Sequence, residues 1–106
     1  AVDLGIVNVH LLSGEDVIGH AWRTGNVVKI EDPVLPNMIM DPATHNYRVG
    51  LLPIRPYLDK VKSVDILDSG ILYIVPVGKQ MAGLYSQSVS DIVMASPGTL
   101  SAILNQ

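Results

Sequence analysis

Three short hydrophobic segments joined by two glycine turns, between residues 6 and 31, constrain the fold more than any other part of the chain. In the first segment Val7 and Val9 alternate with polar residues, and this period of two is typical of a half-buried strand. The two turns contain Gly14 and Gly25, and glycine readily takes the positive φ angles of tight turns. The pattern predicts a meander of three antiparallel strands.

A glycine inside the second segment, which covers residues 17–22, is unusual for a strand. Glycine weakens a strand unless the backbone bends there or another backbone approaches it closely. A small and strongly curved sheet needs such a kink. We therefore interpret Gly19 as a bend in a curved sheet.

Further strand-like segments follow this meander at residues 37–40, 47–54, 61–67 and 71–75. Pro33 and Pro36 follow the meander directly, and neither has a backbone N–H to donate to a neighbouring strand. This stretch is therefore compatible with a loop, a bulge or an edge strand, and residues 32–46 could be either strand or loop.

After Val77 the apolar residues recur with the period of a helix. One stripe contains Met81, Leu84, Tyr85, Val89, Ile92 and Val93, and Ser96-Pro97 is typical of the start of a last short helix. The sequence thus predicts a single, mainly β domain over residues 1–106. We expect a small, strongly bent barrel of five to six antiparallel strands at about residues 5–77, followed by a C-terminal helical segment at about 79–105.

The composition predicts self-association. Hydrophobic residues make up 48% of the chain and charged residues 16%, whereas about a quarter of the residues of a soluble domain are usually charged. No apolar run approaches the ~18 residues that span a bilayer. We therefore expect apolar surface to be buried against other copies of the chain, in a homo-oligomer, and not in a membrane.

Charge and cysteine content narrow the function classes. The net charge of −3 argues against a generally basic nucleic-acid binder. The absence of cysteine excludes a disulfide framework, a thiolate zinc site and a cysteine nucleophile within this sequence. We expect a cytoplasmic, non-enzymatic protein with neither cofactor nor metal.

One local concentration of basic residues nevertheless qualifies as a nucleic-acid site. Four of the seven basic residues lie between residues 48 and 62, with two tyrosines interleaved; the candidate residues are Tyr47, Arg48, Arg55, Tyr57, Lys60 and Lys62. Aromatic rings beside phosphate-binding cations are how proteins hold single-stranded RNA. The alternative is a solvated loop whose lysines protect a sheet edge from aggregation.

The histidines do not predict a metal site. His10 and His20 fall on neighbouring strands, but the sequence places no carboxylate beside them to complete a ligand set. We expect both to be solvent-facing strand residues.

The first two segments resemble a known motif. Val9-x-Leu11-x-x-Gly14-Glu15-x-x-x-Gly19 is similar to the first motif of the Sm and Sm-like proteins, and Ser69-Gly70 before Ile71–Pro76 is similar in shape to the second. The resemblance implies an SH3-like barrel and rings that form when edge strands of neighbouring subunits pair. It also implies RNA binding on one face of such a ring.

At the positions where the family has its base-binding residues, this chain has residues of other types. Asn26 stands at the family's aspartate position, Lys29 at its asparagine position, and Ser69-Gly70 at its arginine-glycine pair. Two hypotheses therefore stand side by side, an RNA-binding Sm-like oligomer and an assembly or adaptor module of the same fold without nucleic-acid activity. The segment LLSGEDVIG also resembles small proteins of marine bacteriophages, which would imply the host cytoplasm.

Overall fold

A computed structural model describes residues 1–54 and 61–94 of the chain. Within these ranges the chain forms six strands, one 3-10 turn and one helix. The strands are β1 (Val2–Leu11), β2 (Asp16–Thr24), β3 (Val27–Met40), β4 (Tyr47–Pro53), β5 (Ser63–Leu67) and β6 (Ile71–Pro76), with the 3-10 turn at Asp68–Gly70 and the helix α1 at Lys79–Met94.

All strand pairs are antiparallel, which confirms the mainly β prediction. The sheet has the order β4-β3-β2-β1-β6, and β5 pairs with the first half of β3. Two strands therefore share one edge of β3: Val27–Glu31 pair with β5, and Val34–Met40 pair with β4. In the described part of the chain β5 and β6 are not paired with each other, so the sheet is not closed there.

The apolar residues of the sheet divide between its two faces. One cluster, the inner core, contains the buried residues Val7, Val9, Val17, Ala21, Val28 and Ile30. A second cluster, the helix-side core, contains Ile18, Val34 and Tyr85, with Met81 and Val89 packed against it. Because Val17 and Ile18 are neighbours on one strand, the two clusters lie on opposite faces. The alternation in the first segments is thus confirmed.

β3 continues through both prolines, which resolves the ambiguity over residues 32–46. The pairing of β2 with β3 shifts between Ile18–Val34 and His20–Glu31, so that β3 has one residue more than β2. Asp32 takes a φ of +45° at this bulge, and the ring of Pro33 is buried. β3 then runs to Met40, and the turn covers residues 41–46. A bulge accommodates a residue without a donor because the ladder is already interrupted there.

Gly19 lies opposite this bulge, and the neighbouring strand accounts for its lack of a side chain. A Cβ at this position would overlap the side chain of Ile30 and lie 2.7 Å from the carbonyl oxygen of Glu31. Because β3 approaches so closely, a side chain at residue 19 would require the neighbouring strand to shift. The two turn glycines behave as predicted, with φ angles of +96° at Gly14 and +59° at Gly25.

The helix begins where the apolar period predicts it. Tyr85 is 4% exposed and Met81 and Val89 pack on the helix-side core, whereas Leu84 stays 36% exposed. β1 begins at Val2, earlier than the alternation suggested. The predicted last helix after Ser96 lies outside the described residues.

We predict that Gly19→Val destabilises the fold by about 1–3 kcal/mol, because the new side chain overpacks the contact with β3. Gly83→Ala is the matched control, since a Cβ at residue 83 has open space and alanine favours a helix interior. Urea denaturation followed by circular dichroism measures both. A Gly19→Val protein as stable as the parent would contradict the close-approach explanation.

Candidate functional site

The sheet face that carries the helix also carries two pairs of histidine and aspartate. In the first pair, His10 Nδ1 lies 2.7 Å from Asp16 Oδ1, and Asn8 Nδ2 donates to the same oxygen at 3.0 Å. The imidazole of His10 stacks on the ring of Tyr73, with centroids 4.8 Å apart. The hydrogen bond from His10 lowers the pKa of Asp16 below its ordinary value, against the desolvation that raises it.

The second pair lies further along the same strands. His20 Nε2 is 2.7 Å from Asp3 Oδ1, and the His20 ring stacks on Trp22 with centroids 3.9 Å apart. The backbone N–H of Gly5 donates to Asp3 at 2.8 Å, and this bond, followed by the one from His20, lowers the pKa of Asp3.

The prediction that no carboxylate lies beside these histidines was therefore wrong. Asp16 faces His10 because the two residues are register partners across β1 and β2. Asp3 reaches His20 because the pairing of β1 shifts between Asp3 and Gly5. Asp16 can be identified as the partner of His10 once the register of the β1–β2 hairpin is known. The bulge that positions Asp3 gives no signal in the alternation of apolar and polar residues.

The chemistry of these pairs is that of structural hydrogen bonds between a histidine and a carboxylate. No group of three or more histidine or acidic side chains that could hold a metal ion occurs in the described ranges. Since the folded-state pKa of each aspartate is lowered, each pair adds stability above the ordinary carboxyl pKa and loses it as the pH falls through the lowered value. Both pairs are partly exposed, which limits their contribution.

One hydroxyl connects the helix to the sheet at the bulge. Tyr85 Oη donates to the carbonyl oxygen of Glu31 at 2.7 Å and accepts from the backbone N–H of His20 at 3.3 Å. His20 and Glu31 are register partners, so the hydroxyl bridges two backbone groups of the interrupted ladder. Burial raises the pKa of Tyr85, which keeps the hydroxyl protonated and able to donate.

We predict that Tyr85→Phe costs about 1–3 kcal/mol, since it leaves the Glu31 carbonyl and the His20 N–H without their partner. Amide hydrogen exchange should also accelerate at His20. Tyr47→Phe, which alters an exposed tyrosine, controls for loss of a hydroxyl elsewhere. Unchanged stability and exchange in Tyr85→Phe would show that the bridge contributes nothing.

We call the hairpin in which Val34–Met40 of β3 pair with β4 the arm. A groove, the arm groove, lies between the arm and the start of α1. It consists of two adjoining hollows of about 700 and 510 Å³ that share Val49, Gly78 and Met81 in their walls. Tyr47, Arg48, Gln80 and Leu84 complete the first hollow, and Asn8, Asp16, Ile18, Pro36, Met38, Val75, Pro76 and Val77 complete the second. Each hollow has the size of a small-molecule site.

The described members of the predicted basic segment do not form one patch. Arg48 pairs with Ile39 near the far end of β3, whereas the carbonyl oxygen of Lys62 accepts from the N–H of Asp32 at 2.7 Å. Seven positions of β3 separate these contacts, or roughly 23 Å along a strand. Tyr47 and Arg48 are adjacent and exposed. The predicted residues Arg55, Tyr57 and Lys60 lie outside the described ranges.

Asn26, Ser69 and Gly70, three of the positions that the resemblance to Sm-like proteins points to, lie at one end of the sheet. The carbonyl oxygen of Asn26 accepts from the N–H of Asp68 at 2.8 Å, directly before Ser69 and Gly70. Arg23, which the sequence did not single out, lies 2.6 Å from the Asp68 carboxylate and pairs with it. The exposed Lys29 lies two positions further along β3 from this end, next to Asp65 on β5.

Neither a scan against protein-family models nor a search of curated proteins finds a match to this chain. The described part of the chain contains no helix with the length and hydropathy of a transmembrane segment.

Proposed function

We propose that this chain is a non-enzymatic, homo-oligomeric Sm-like protein that assembles by pairing β5 of one subunit with β6 of the next. The observation that carries the proposal is that, among the described residues, each of these two strands is paired along one edge only. In the described sheet β5 pairs with β3 alone and β6 pairs with β1 alone. Each strand therefore has a second edge that can accept a strand of another copy.

The apolar surface on both strands supports the same arrangement. Leu67 on β5 and Leu72 and Val75 on β6 are large hydrophobic residues with exposed side chains. Pairing of the edges satisfies their backbone groups and removes part of this surface from water. Because the two surfaces differ, the contact is head-to-tail, and such contacts close into rings or extend as filaments.

The connection between β5 and β6 supports an SH3-like barrel. The 3-10 turn at Asp68–Gly70 carries the chain from a strand beside β3 to a strand beside β1. Its first N–H bonds to Asn26, and the carbonyl oxygen of Gly70 accepts from Leu12 at 2.9 Å. These bonds join the two hairpin turns to the 3-10 turn, as a strongly bent sheet requires. We propose this barrel as the subunit of the assembly.

Light scattering at micromolar concentration tests the assembly. The parent protein should have a mass that is a multiple of the 11.4 kDa chain, and Leu72→Lys should lower it because charge on an edge strand opposes pairing. Leu12→Lys is the matched control, since Leu12 is 62% exposed in a turn and Leu72 is 60% exposed on the edge. A parent protein with the mass of one chain would refute the proposal.

A second candidate function, RNA binding by the same oligomer, rests on the adjacent residues Tyr47 and Arg48. Tyr47 is 65% exposed, which leaves its ring available for stacking on a base, and the neighbouring guanidinium can bind a phosphate. The net charge of −3 restricts such binding to a local site.

For this candidate, we predict that Arg48→Ala weakens binding of a short oligouridylate and reduces the salt dependence of its affinity by about 0.7 for each lost phosphate contact. Lys62→Ala tests the second described cation, and Lys29→Ala tests the family's base-binding position. Filter binding at several salt concentrations measures all three. If the parent protein binds no oligouridylate, RNA binding is refuted and the assembly or adaptor function is the one that remains.

A further inference from the structure

The arm groove has mostly apolar walls contributed by two different parts of the chain. Pro36 and Met38 on β3 and Val49 on β4 form the wall on the arm. Val75, Val77 and Met81 form the facing wall, which belongs to β6, the linker and the helix. Several of these side chains, including Met38 and Val75, remain exposed. An apolar body lying between the two walls would remove them from water.

Methionine gives this groove an adaptable surface. Met38 and Met81 stand on opposite walls, and the flexible thioether side chain fills irregular space against ligands of different shape. The groove is therefore suited to an apolar chain or ring of no fixed outline, in contrast to a site built from rigid polar contacts.

Two charged residues stand among the described residues of the groove, and they lie in different hollows. Arg48 lines the hollow beside Gln80 and Leu84, and none of the described residues in its wall is acidic. No carboxylate of the described residues forms an ion pair with Arg48. Asp16 lines the other hollow and already bonds to His10 and Asn8. The groove thus favours an anion in the first hollow and disfavours one in the second.

We propose that the arm groove binds a small amphipathic anion, with its single anionic group on Arg48 and its apolar body between the arm and Met81. This binding site does not depend on the assembly proposed above, because its walls belong to one chain. Gln80 can donate a further hydrogen bond to the anionic group. A second anionic group on the ligand would meet the carboxylate of Asp16, so ligands with one charged end are preferred.

Isothermal titration calorimetry with octanoate and its neutral analogue octanamide tests the proposal. Octanoate should bind one molecule per chain, and octanamide roughly tenfold more weakly, because it lacks the charge that Arg48 recognises. Arg48→Gln should weaken octanoate binding by a similar factor and leave octanamide binding unchanged. This selective effect distinguishes an ionic contact from general damage to the groove.

Two further variants test the apolar part of the site. Leu84→Gln should lower the affinity for both compounds roughly fivefold, since it replaces an apolar side chain of the wall by a polar one. Leu12→Gln, in the β1–β2 turn and outside the walls of both hollows, should change neither. The proposal is overturned if octanoate fails to bind at millimolar concentration, or if Arg48→Gln weakens octanoate and octanamide equally. Light scattering of the same samples reports the assembly separately.

Discussion

The bulge in β3 is the constraint on which the rest of the structure depends. One additional residue at Asp32–Pro33 interrupts the ladder with β2, and three features of the fold follow from that position. Gly19 lets the two strands approach, Tyr85 bridges the separated backbone groups, and the strand beyond the bulge pairs with β4. The bulge that redirects the sheet is therefore also the point at which Tyr85 anchors the helix to the sheet. Without the bulge, the carbonyl oxygen of Glu31 would not be free to accept the hydrogen bond from the Tyr85 hydroxyl.

Both the arm groove and the helix-side core derive from this arrangement. The arm places Met38 and Val49 opposite Met81, and the helix is fixed against Ile18 and Val34 by its buried tyrosine. The groove exists because the helix covers the part of the sheet face around Ile18 while the arm extends past it. A two-stranded ribbon alone is marginally stable in water, so contact between the arm and the helix also contributes to the order of the arm.

The sequence predicted the strands whose apolar residues alternate and the helix whose apolar residues recur every three to four positions. These signals are local, since each reports on which face of one element is buried. The continuation of β3 through Pro33 and Pro36 could not be predicted, because whether a missing donor matters depends on the bulge and on the partner strand. The pairing of Asp3 with His20 was missed for the same reason, as it depends on a register shift. Arg48 was identified from charge clustering, but its place in a groove depends on where the helix packs.

The order of the strands has a consequence for how the chain reaches this fold. Val9 pairs with Val17, eight positions away, whereas Val7 pairs with Pro76, 69 positions away. Closing the longer loop costs more chain entropy and depends on the earlier strands being in place. We expect β6 to join the sheet after the meander of β1, β2 and β3 has formed. Until β6 joins, the β1 edge stays unpaired, and an unpaired strand edge in a folding intermediate is where exchange or aggregation begins.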